Sequence, residues 1–234
     1  MKKDKNKDKN KDNIKGNNKK NNKENKNNDI EEDNEIIFKI ITLGDSGVGK
    51  TSIINKYITD NYLDNVASTL GVNFSYKKLI FNKTQKIMLK LIDTCGQEKF
   101  RSLSKSYFKN TDGVLYVFGL DDKESFDNIK IWMEYFNEEC KIEDIPKILV
   151  GNKCDLDTDK ELDKNLINEF SEKNNIKYFA TSAKNGININ ELFEAMGKML
   201  YKKELHLDRQ EESIIISGDQ TKKSNKCIKC EPDM

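Results

Sequence analysis

A glycine-rich run that ends in lysine and threonine has the spacing of a phosphate-binding loop. Residues 44–51 read GDSGVGKT and fit G-x-x-x-x-G-K-[S/T] at every fixed position. Glycines at these places let successive backbone N–H groups surround phosphate oxygens, and the N-terminus of a following helix adds partial positive charge. Lys50 would reach the β- and γ-phosphates, and the Thr51 hydroxyl would bind Mg²⁺. We therefore predict nucleotide contacts from Gly44, Asp45, Ser46, Gly47, Val48, Gly49, Lys50, Thr51 and Ser52.

The run DTCGQ at residues 93–97 follows an apolar stretch and supplies a second set of phosphate-site residues. In enzymes with such a loop, an acidic residue that closes a strand, here Asp93, holds Mg²⁺ through water. The amide of Gly96 can contact the γ-phosphate, and Gln97 stands where such enzymes orient the attacking water. We predict Gln97 and Lys50 as the catalytic residues.

The tetrapeptide NKCD at residues 152–155 has residue types that suit guanine. The carboxylate of Asp155 can accept hydrogen bonds from guanine N1–H and from the exocyclic N2 amine, a donor pair that adenine does not present. We expect the alkyl stem of Lys153 to cover the face of the base, and Asn152 to tie this loop to the phosphate loop. Because the motif follows a predicted strand, it argues against an adenine-specific kinase with the same phosphate loop.

These motifs, with those at residues 68–74, 99–102 and 106–108, resemble the small GTPases of the Ras superfamily and are most similar to the Rab family. The resemblance covers about residues 35–205. It implies that Thr69 ligates Mg²⁺ and senses the γ-phosphate, and that Tyr62 lies against the guanine. It also implies a last base-binding loop, formed by Ser182, Ala183 and Lys184, in which the Ala183 amide meets guanine O6.

By the same resemblance, GTP or GDP and Mg²⁺ are the cofactors, and the partners are an exchange factor, a GTPase-activating protein and effector proteins. The expected function is a slow, activator-dependent GTPase that works as a molecular switch in vesicle or membrane trafficking. The alternative is a soluble GTP-binding adaptor or scaffold that hydrolyses poorly and is not attached to a membrane.

The elements that must position these motifs alternate between strand-like and helix-like patterns. Strands are predicted at residues 36–43, 72–81, 86–92, 113–118 and 147–150, and the second and third of these pair as an antiparallel hairpin. A helix that runs to about residue 139 has Ile129, Trp132, Met133 and Phe136 on one buried face, so we interpret these side chains as core. The alternation predicts an α/β fold of the P-loop GTPase type, with a mainly parallel six-stranded sheet and helices on both faces.

Composition separates two tails from the domain at residues 35–205. Residues 1–34 are mostly lysine, asparagine and acidic residues, so they cannot bury a core, and we predict a disordered extension. Contact with an acidic membrane is a less favoured role for this arm than that of a solvated extension. No aromatic side chains are interleaved for stacking on bases, so we expect no nucleic acid partner. Residues 206–234 are predicted to form a flexible tail.

The five cysteines lack the pattern of a disulfide scaffold, which indicates a reducing, cytoplasmic compartment. Rab-like proteins usually end in two cysteines that receive geranylgeranyl groups, and Cys227 and Cys230 lie near four lysines in the tail. Prenylation there would let the protein cycle to the cytosolic face of a membrane. These cysteines are separated by two residues and followed by four, so an unmodified tail is the main alternative, and half of a zinc site is a weaker one.

Two residues depart from the family pattern in the switch region. Cys95 replaces the usual alanine, and its bulk beside the γ-phosphate is expected either to be accommodated or to change hydrolysis and nucleotide exchange. Ile92 replaces a tryptophan that usually packs with a phenylalanine and a tyrosine, which are present here as Phe74 and Tyr107. The choice of partner therefore does not carry over from the family.

Overall fold

A computed structural model describes residues 35–63, 69, 71–81, 86–96, 106–140, 144–156 and 162–222, with residues 207–222 described as backbone only. Runs of β-branched and other apolar residues form its central strands, because such side chains pack well where a sheet is buried on both faces. The strands are β1 (Ile36–Leu43), β2 (Val72–Ile80), β3 (Lys86–Thr94), β4 (Gly113–Gly119), β5 (Lys147–Asn152) and β6 (Lys177–Ala180). The helices are α1 (Lys50–Thr59), α2 (Lys123–Asp127), α3 (Ile129–Glu139), α4 (Lys164–Lys173) and α5 (Ile189–Lys222).

The six strands form one sheet in the order β2-β3-β1-β4-β5-β6. Only β2 and β3 pair antiparallel among the described strands, and every other neighbouring pair is parallel. The predicted mainly parallel sheet and the predicted hairpin are therefore confirmed. Because β1, β3, β4, β5 and β6 run in the same direction, the loops that follow them meet at one edge of the sheet, where ligands of open α/β sheets bind.

Each face of the sheet has its own hydrophobic core. Ile40 of β1 packs with α1 and α5 on one face, while the next residue, Ile41, packs with α3 and α4 on the other. This alternation explains why β1 has apolar residues on both sides, with Lys39 and Thr42 as the polar exceptions. Trp132 and Phe136 of α3 are buried in the second core, which confirms their interpretation as core residues.

Two helices differ from the sequence pattern. The predicted helix that ends near residue 139 is divided at Asn128 into α2 and α3, and Asp122 caps α2 by accepting a hydrogen bond from the Ser125 amide at 3.2 Å. The last helix, α5, continues to Lys222, beyond the end near residue 205 that its apolar spacing predicts. The assignment of residues 206–234 as a tail stays a prediction.

Several predicted features lie outside the described residues. These are the disordered extension at residues 1–34, the motif residues 99–102, Gln97, Cys227 and Cys230. Within the helices that the structure describes, none has the length and apolar character needed to cross a membrane.

Candidate functional site

A cleft of about 410 Å³ opens at the sheet edge where the parallel strands end. The loops after β1, β3, β5 and β6 contribute to its wall, together with the start of α1. The structure brings most of the predicted nucleotide-binding residues to this wall: Ser46, Gly47, Gly49, Lys50, Thr51, Ser52, Tyr62, Thr69, Gly96, Asn152, Lys153, Asp155, Ala183 and Lys184. Leu63, Thr94, Cys95 and Leu156 also line the cleft without having been predicted as ligand contacts.

The phosphate loop joins β1 to α1 and encloses a buried lysine. The amine of Lys50 donates hydrogen bonds to the carbonyl oxygens of Gly44 at 2.9 Å and Asp45 at 2.7 Å. Burial lowers the pKa of Lys50 from 10.5 to about 8, although the charges of Asp93, Cys95 and Asp45 act in the opposite direction. A phosphate in the cleft would favour the charged amine, so this lysine is suited to binding an anion.

Three side-chain oxygens form a second cluster in the cleft. The Thr51 hydroxyl donates to Asp93 Oδ2 at 2.7 Å and lies 2.7 Å from the Thr69 hydroxyl oxygen. Burial raises the pKa of Asp93, and the hydrogen bond from Thr51 and the charge of Lys50 oppose this rise. The other carboxylate oxygen, Asp93 Oδ1, is buried and has no hydrogen-bond partner among the described residues. Hydroxyl and carboxylate oxygens are ligands that Mg²⁺ prefers, so this donor set fits the predicted ion.

Asn152 joins three loops of the site. Its side-chain amide donates to the Val48 carbonyl oxygen at 2.9 Å, which is the predicted tie to the phosphate loop. Its side-chain oxygen, Oδ1, accepts from the Thr181 hydroxyl and from the Ala183 amide, each at 3.2 Å. Asn152 is almost fully buried. The loops that the sequence predicts to bind the base and the phosphates therefore share one anchored side chain.

The carboxylate of Asp155 is oriented by its neighbour in space, Ser182. The Ser182 hydroxyl donates to Asp155 Oδ1 at 2.5 Å and accepts from the Asn185 amide at 3.0 Å. Lys153 lies on the same wall, and its amine pairs with Asp121 Oδ2 at 3.0 Å. Asp121 was not predicted as a site residue, because it follows β4 and belongs to no motif that the sequence displays.

Asp45 contacts Trp132 of α3 and Asn128, the residue before that helix, rather than lining the cleft. Its carboxylate accepts hydrogen bonds from Asn128 Nδ2 and Trp132 Nε1, both at 2.7 Å. The helical spacing predicts Trp132 as core, and it gives no sign that the indole N–H reaches the phosphate loop, which lies 87 residues earlier in the chain.

Comparisons with known proteins identify the family of this chain. The family model described as "Ras family" matches residues 39–202. The chain is 36% identical to the Ras-related protein Rab-1D of Dictyostelium discoideum over 203 residues, which cover 85% of this chain and 98% of that protein. It is 33% identical to the GTP-binding protein YPTM1 of Zea mays, with 82% and 97% covered. It is 31% identical to the Ras-related protein Rab-13 of Bos taurus, with 82% and 95% covered.

Proposed function

This chain belongs to the Ras family, and on that premise we propose that the cleft at the sheet edge binds GTP with Mg²⁺ and hydrolyses the GTP. The protein is a Rab-like small GTPase that acts as a switch in membrane trafficking. The similarity extends over nearly the full length of these relatives, so the alternative of a poorly hydrolysing adaptor is not favoured.

The observation that carries the site assignment is the joined arrangement of Asn152 and Asp155. The Asp155 carboxylate, held by Ser182, would accept the two N–H donors of guanine. The bond from Asn152 to Val48 ties the segment that carries Asp155 to the phosphate loop. Tyr62 and Lys153 line the cleft and would cover the base. A guanine nucleotide is therefore the ligand that this arrangement fits best.

The hydrolytic step uses residues on the phosphate side of the cleft. We propose that Gln97 orients a water whose oxygen attacks the γ-phosphorus, while the bond to the β–γ bridging oxygen breaks and yields GDP and phosphate. Lys50 would move its hydrogen bonds from the loop carbonyls to phosphate oxygens and neutralise the developing charge. Thr51, Thr69 and Asp93, the last through water, would hold Mg²⁺, which when bound supplies further charge neutralisation.

The switch would arise from two segments that meet at the γ-phosphate position. Thr69 and Gly96 both line the cleft but come from different loops. The Cys95 amide donates to the Gly71 carbonyl oxygen at 3.1 Å, which connects these loops through the ends of β2 and β3. The Cys95 side chain is buried, which supports accommodation of its bulk. Loss of the γ-phosphate would release Thr69 and Gly96, and partners would read that change.

We propose that effectors contact the exposed face of the β2–β3 hairpin. Phe74 and Tyr76 are 45% and 54% exposed on β2, and the Lys90 amine lies 5.3 Å and 5.9 Å from their ring centres. Tyr107 packs beside Phe74 with ring centres 5.6 Å apart, whereas Ile92 is fully buried. A partner with apolar side chains flanked by a carboxylate would suit these rings and the lysine between them.

We further propose that an exchange factor and a GTPase-activating protein control the nucleotide state, and that geranylgeranyl groups on Cys227 and Cys230 bring the cytoplasmic protein to a membrane. The support is the similarity to Rab proteins together with the lysines near these two cysteines.

Single-turnover hydrolysis of GTP tests the catalytic assignment. The wild-type protein should hydrolyse bound GTP at a rate on the order of 10⁻⁴ s⁻¹ without an activator. Gln97→Leu should lower this rate by about tenfold or more, since the water is no longer oriented. Gln210→Leu, the same substitution in α5, is the control and should hydrolyse like wild type. Wild-type rates in Gln97→Leu would remove Gln97 from the mechanism.

A further inference from the structure

The phosphate loop contains an acidic residue, Asp45, whose carboxylate is held by hydrogen bonds from Trp132 of α3 and from Asn128, the residue before α3. Asp45 lies second in the loop, and its two carboxylate oxygens accept separate hydrogen bonds, from Trp132 Nε1 to Oδ1 and from Asn128 Nδ2 to Oδ2, both at 2.7 Å. Trp132 is 1% exposed and is the only tryptophan in the sequence. Its ring is fixed in the core beneath β4, so the position of its N–H is fixed as well.

The backbone carbonyl of Asp45 contacts Lys50, the lysine that we propose as catalytic. The Asp45 carbonyl oxygen accepts the hydrogen bond from Lys50 at 2.7 Å. Gly96 approaches this carbonyl so closely that a Cβ atom on Gly96 would lie 2.3 Å from the carbonyl carbon and oxygen and 2.4 Å from Lys50 Nζ. Asp45 therefore lies between two parts of the structure. Its side chain contacts α3, and its backbone carbonyl contacts Lys50 and Gly96.

A negative charge in a phosphate-binding loop has to be directed away from the phosphates. The N–H groups of Trp132 and Asn128 hold the Asp45 carboxylate on the side away from the phosphates. Hydrogen bonds to a carboxylate are shorter and stronger than those between neutral groups, so they can hold it there. The donors also limit the rotation of the Asp45 side chain and thereby restrain the peptide that carries its carbonyl. A displaced Asp45 would disturb Lys50 and Gly96 and would bring its charge nearer to the phosphates.

From these contacts we propose that Asp45 is a positioning residue of the phosphate loop and that Trp132 and Asn128 are its anchors. The bonds from Trp132 of α3 and from Asn128, at the N-terminus of that helix, keep the loop in the shape that retains the nucleotide. This inference rests on the proposed function, because it assumes that the cleft binds a guanine nucleotide. It predicts that removal of either end of the Asp45–Trp132 bond accelerates nucleotide release without unfolding the protein.

The experiment measures release of a fluorescent GDP analogue from the full-length protein in Mg²⁺ buffer, together with thermal unfolding. Asp45→Ala and Trp132→Phe should each release the analogue about tenfold faster than wild type or more, since each loses a hydrogen bond to a charged group. The double variant Asp45→Ala/Trp132→Phe should be no faster than Asp45→Ala, because both substitutions break the same bond. Asp45→Asn should stay near wild type, since its amide oxygen accepts from Trp132 and the Asn128 amide can rotate to match its N–H₂ group.

Phe136→Leu is the packing control, since Phe136 lies on the same buried face of α3 and is 1% exposed. It should lower the unfolding temperature but leave the release rate unchanged.

Wild-type release rates in Asp45→Ala and Trp132→Phe would overturn the proposal. Slower release in both Asp45→Ala and Asp45→Asn would also overturn it, since simple charge repulsion would then govern the loop. Should Asp45→Ala fail to fold, the release rate of Trp132→Phe still tests the proposal, with Asp45→Asn as the variant expected to stay near wild type. Failure of wild type to bind the analogue would instead contradict the proposed function.

Discussion

Two residues that we propose for the base, Asp155 and Lys153, each have a hydrogen-bonded partner that restrains the side chain, Ser182 for the first and Asp121 for the second. Asn152 and Asp155 are predictable because they lie in one short motif whose residue types match the hydrogen-bonding groups of guanine. Ser182 enters through resemblance alone, and the structure gives it a physical role as the donor that orients Asp155. Asp121, which pairs with Lys153, could not be predicted, because an ion pair across 32 residues leaves no local pattern.

Base selectivity should change when Asp155 is replaced by asparagine. Asp155→Asn exchanges a carboxylate that accepts two hydrogen bonds for an amide that accepts one and donates one. The amide would leave a guanine N–H unpaired, and it would suit xanthine, which has a carbonyl in place of the N2 amine. GTP affinity should fall by about 100-fold or more, and the affinity for xanthosine triphosphate should rise. Competition against a fluorescent GDP analogue measures both changes.

Ser182→Ala is the matched control for this substitution. It keeps the carboxylate but removes the hydroxyl that orients it, so GTP affinity should fall by about tenfold with no gain for the xanthine nucleotide. An Asp155→Asn variant that still prefers GTP over xanthosine triphosphate would contradict the assignment of this carboxylate to the base.

The elements around the phosphate loop were largely predictable because each one has a strong local signal. An apolar run, a glycine motif and a helix appear in order, and the structure has β1, the loop and α1 at these places. The division between α2 and α3 was not predictable, since the residues on both sides of Asn128 favour a helix. Asn128 also donates to Asp45, a partner 83 residues away. Contacts between distant elements thus set details that propensity does not indicate.

Two glycines of the loop should respond differently to alanine, because only one of them packs against another element. A Cβ on Gly44 would lie 2.0 Å from the Val117 carbonyl oxygen of β4, whereas a Cβ on Gly47 would have no atom within 4 Å. Both have positive φ, 149° and 79°, so each alanine carries backbone strain. We expect Gly47→Ala to cost about 1 kcal/mol, and Gly44→Ala at least about 3 kcal/mol, since β1 and β4 would have to separate.

Thermal unfolding at a fixed excess of GDP measures this difference. For a domain of this size, 1 kcal/mol corresponds to about 2–4 °C in the unfolding temperature. Gly47→Ala should therefore unfold a few degrees below wild type, and Gly44→Ala much lower or as an unstable chain. Equal shifts in the two variants would show that the contact with Val117 does not limit the position of the loop.

At the scale of the whole molecule, the sheet and its two cores follow from hydrophobic burial. Strands that are buried on both faces read as continuous apolar runs, and the amphipathic helices cover them, so the α/β class is accessible from the sequence. The end of α5 is harder to predict from the sequence. Its apolar spacing weakens after residue 205, whereas the backbone stays helical to Lys222. Residues 1–34 have Met1, Ile14 and Ile30 as their only apolar side chains, too few for a core, and the disorder of this segment stays a prediction.

Attachment to a membrane is a property of the whole chain, and it should depend on both cysteines of the tail. One lipid chain gives only marginal, reversible binding, so stable attachment needs two signals.

Protein isolated from its own cells should have the intact mass of a chain with two geranylgeranyl groups and should sediment with membranes. Cys227→Ser and Cys230→Ser should each weaken sedimentation, and the double variant should stay in the supernatant. Cys154→Ser, which changes a cysteine beside the base site, is the control and should sediment like wild type. GTP hydrolysis by the double variant should equal that of wild type, since the described residues that line the cleft all lie between positions 46 and 184. An unmodified mass would overturn the lipidation proposal and leave the GTPase assignment in place.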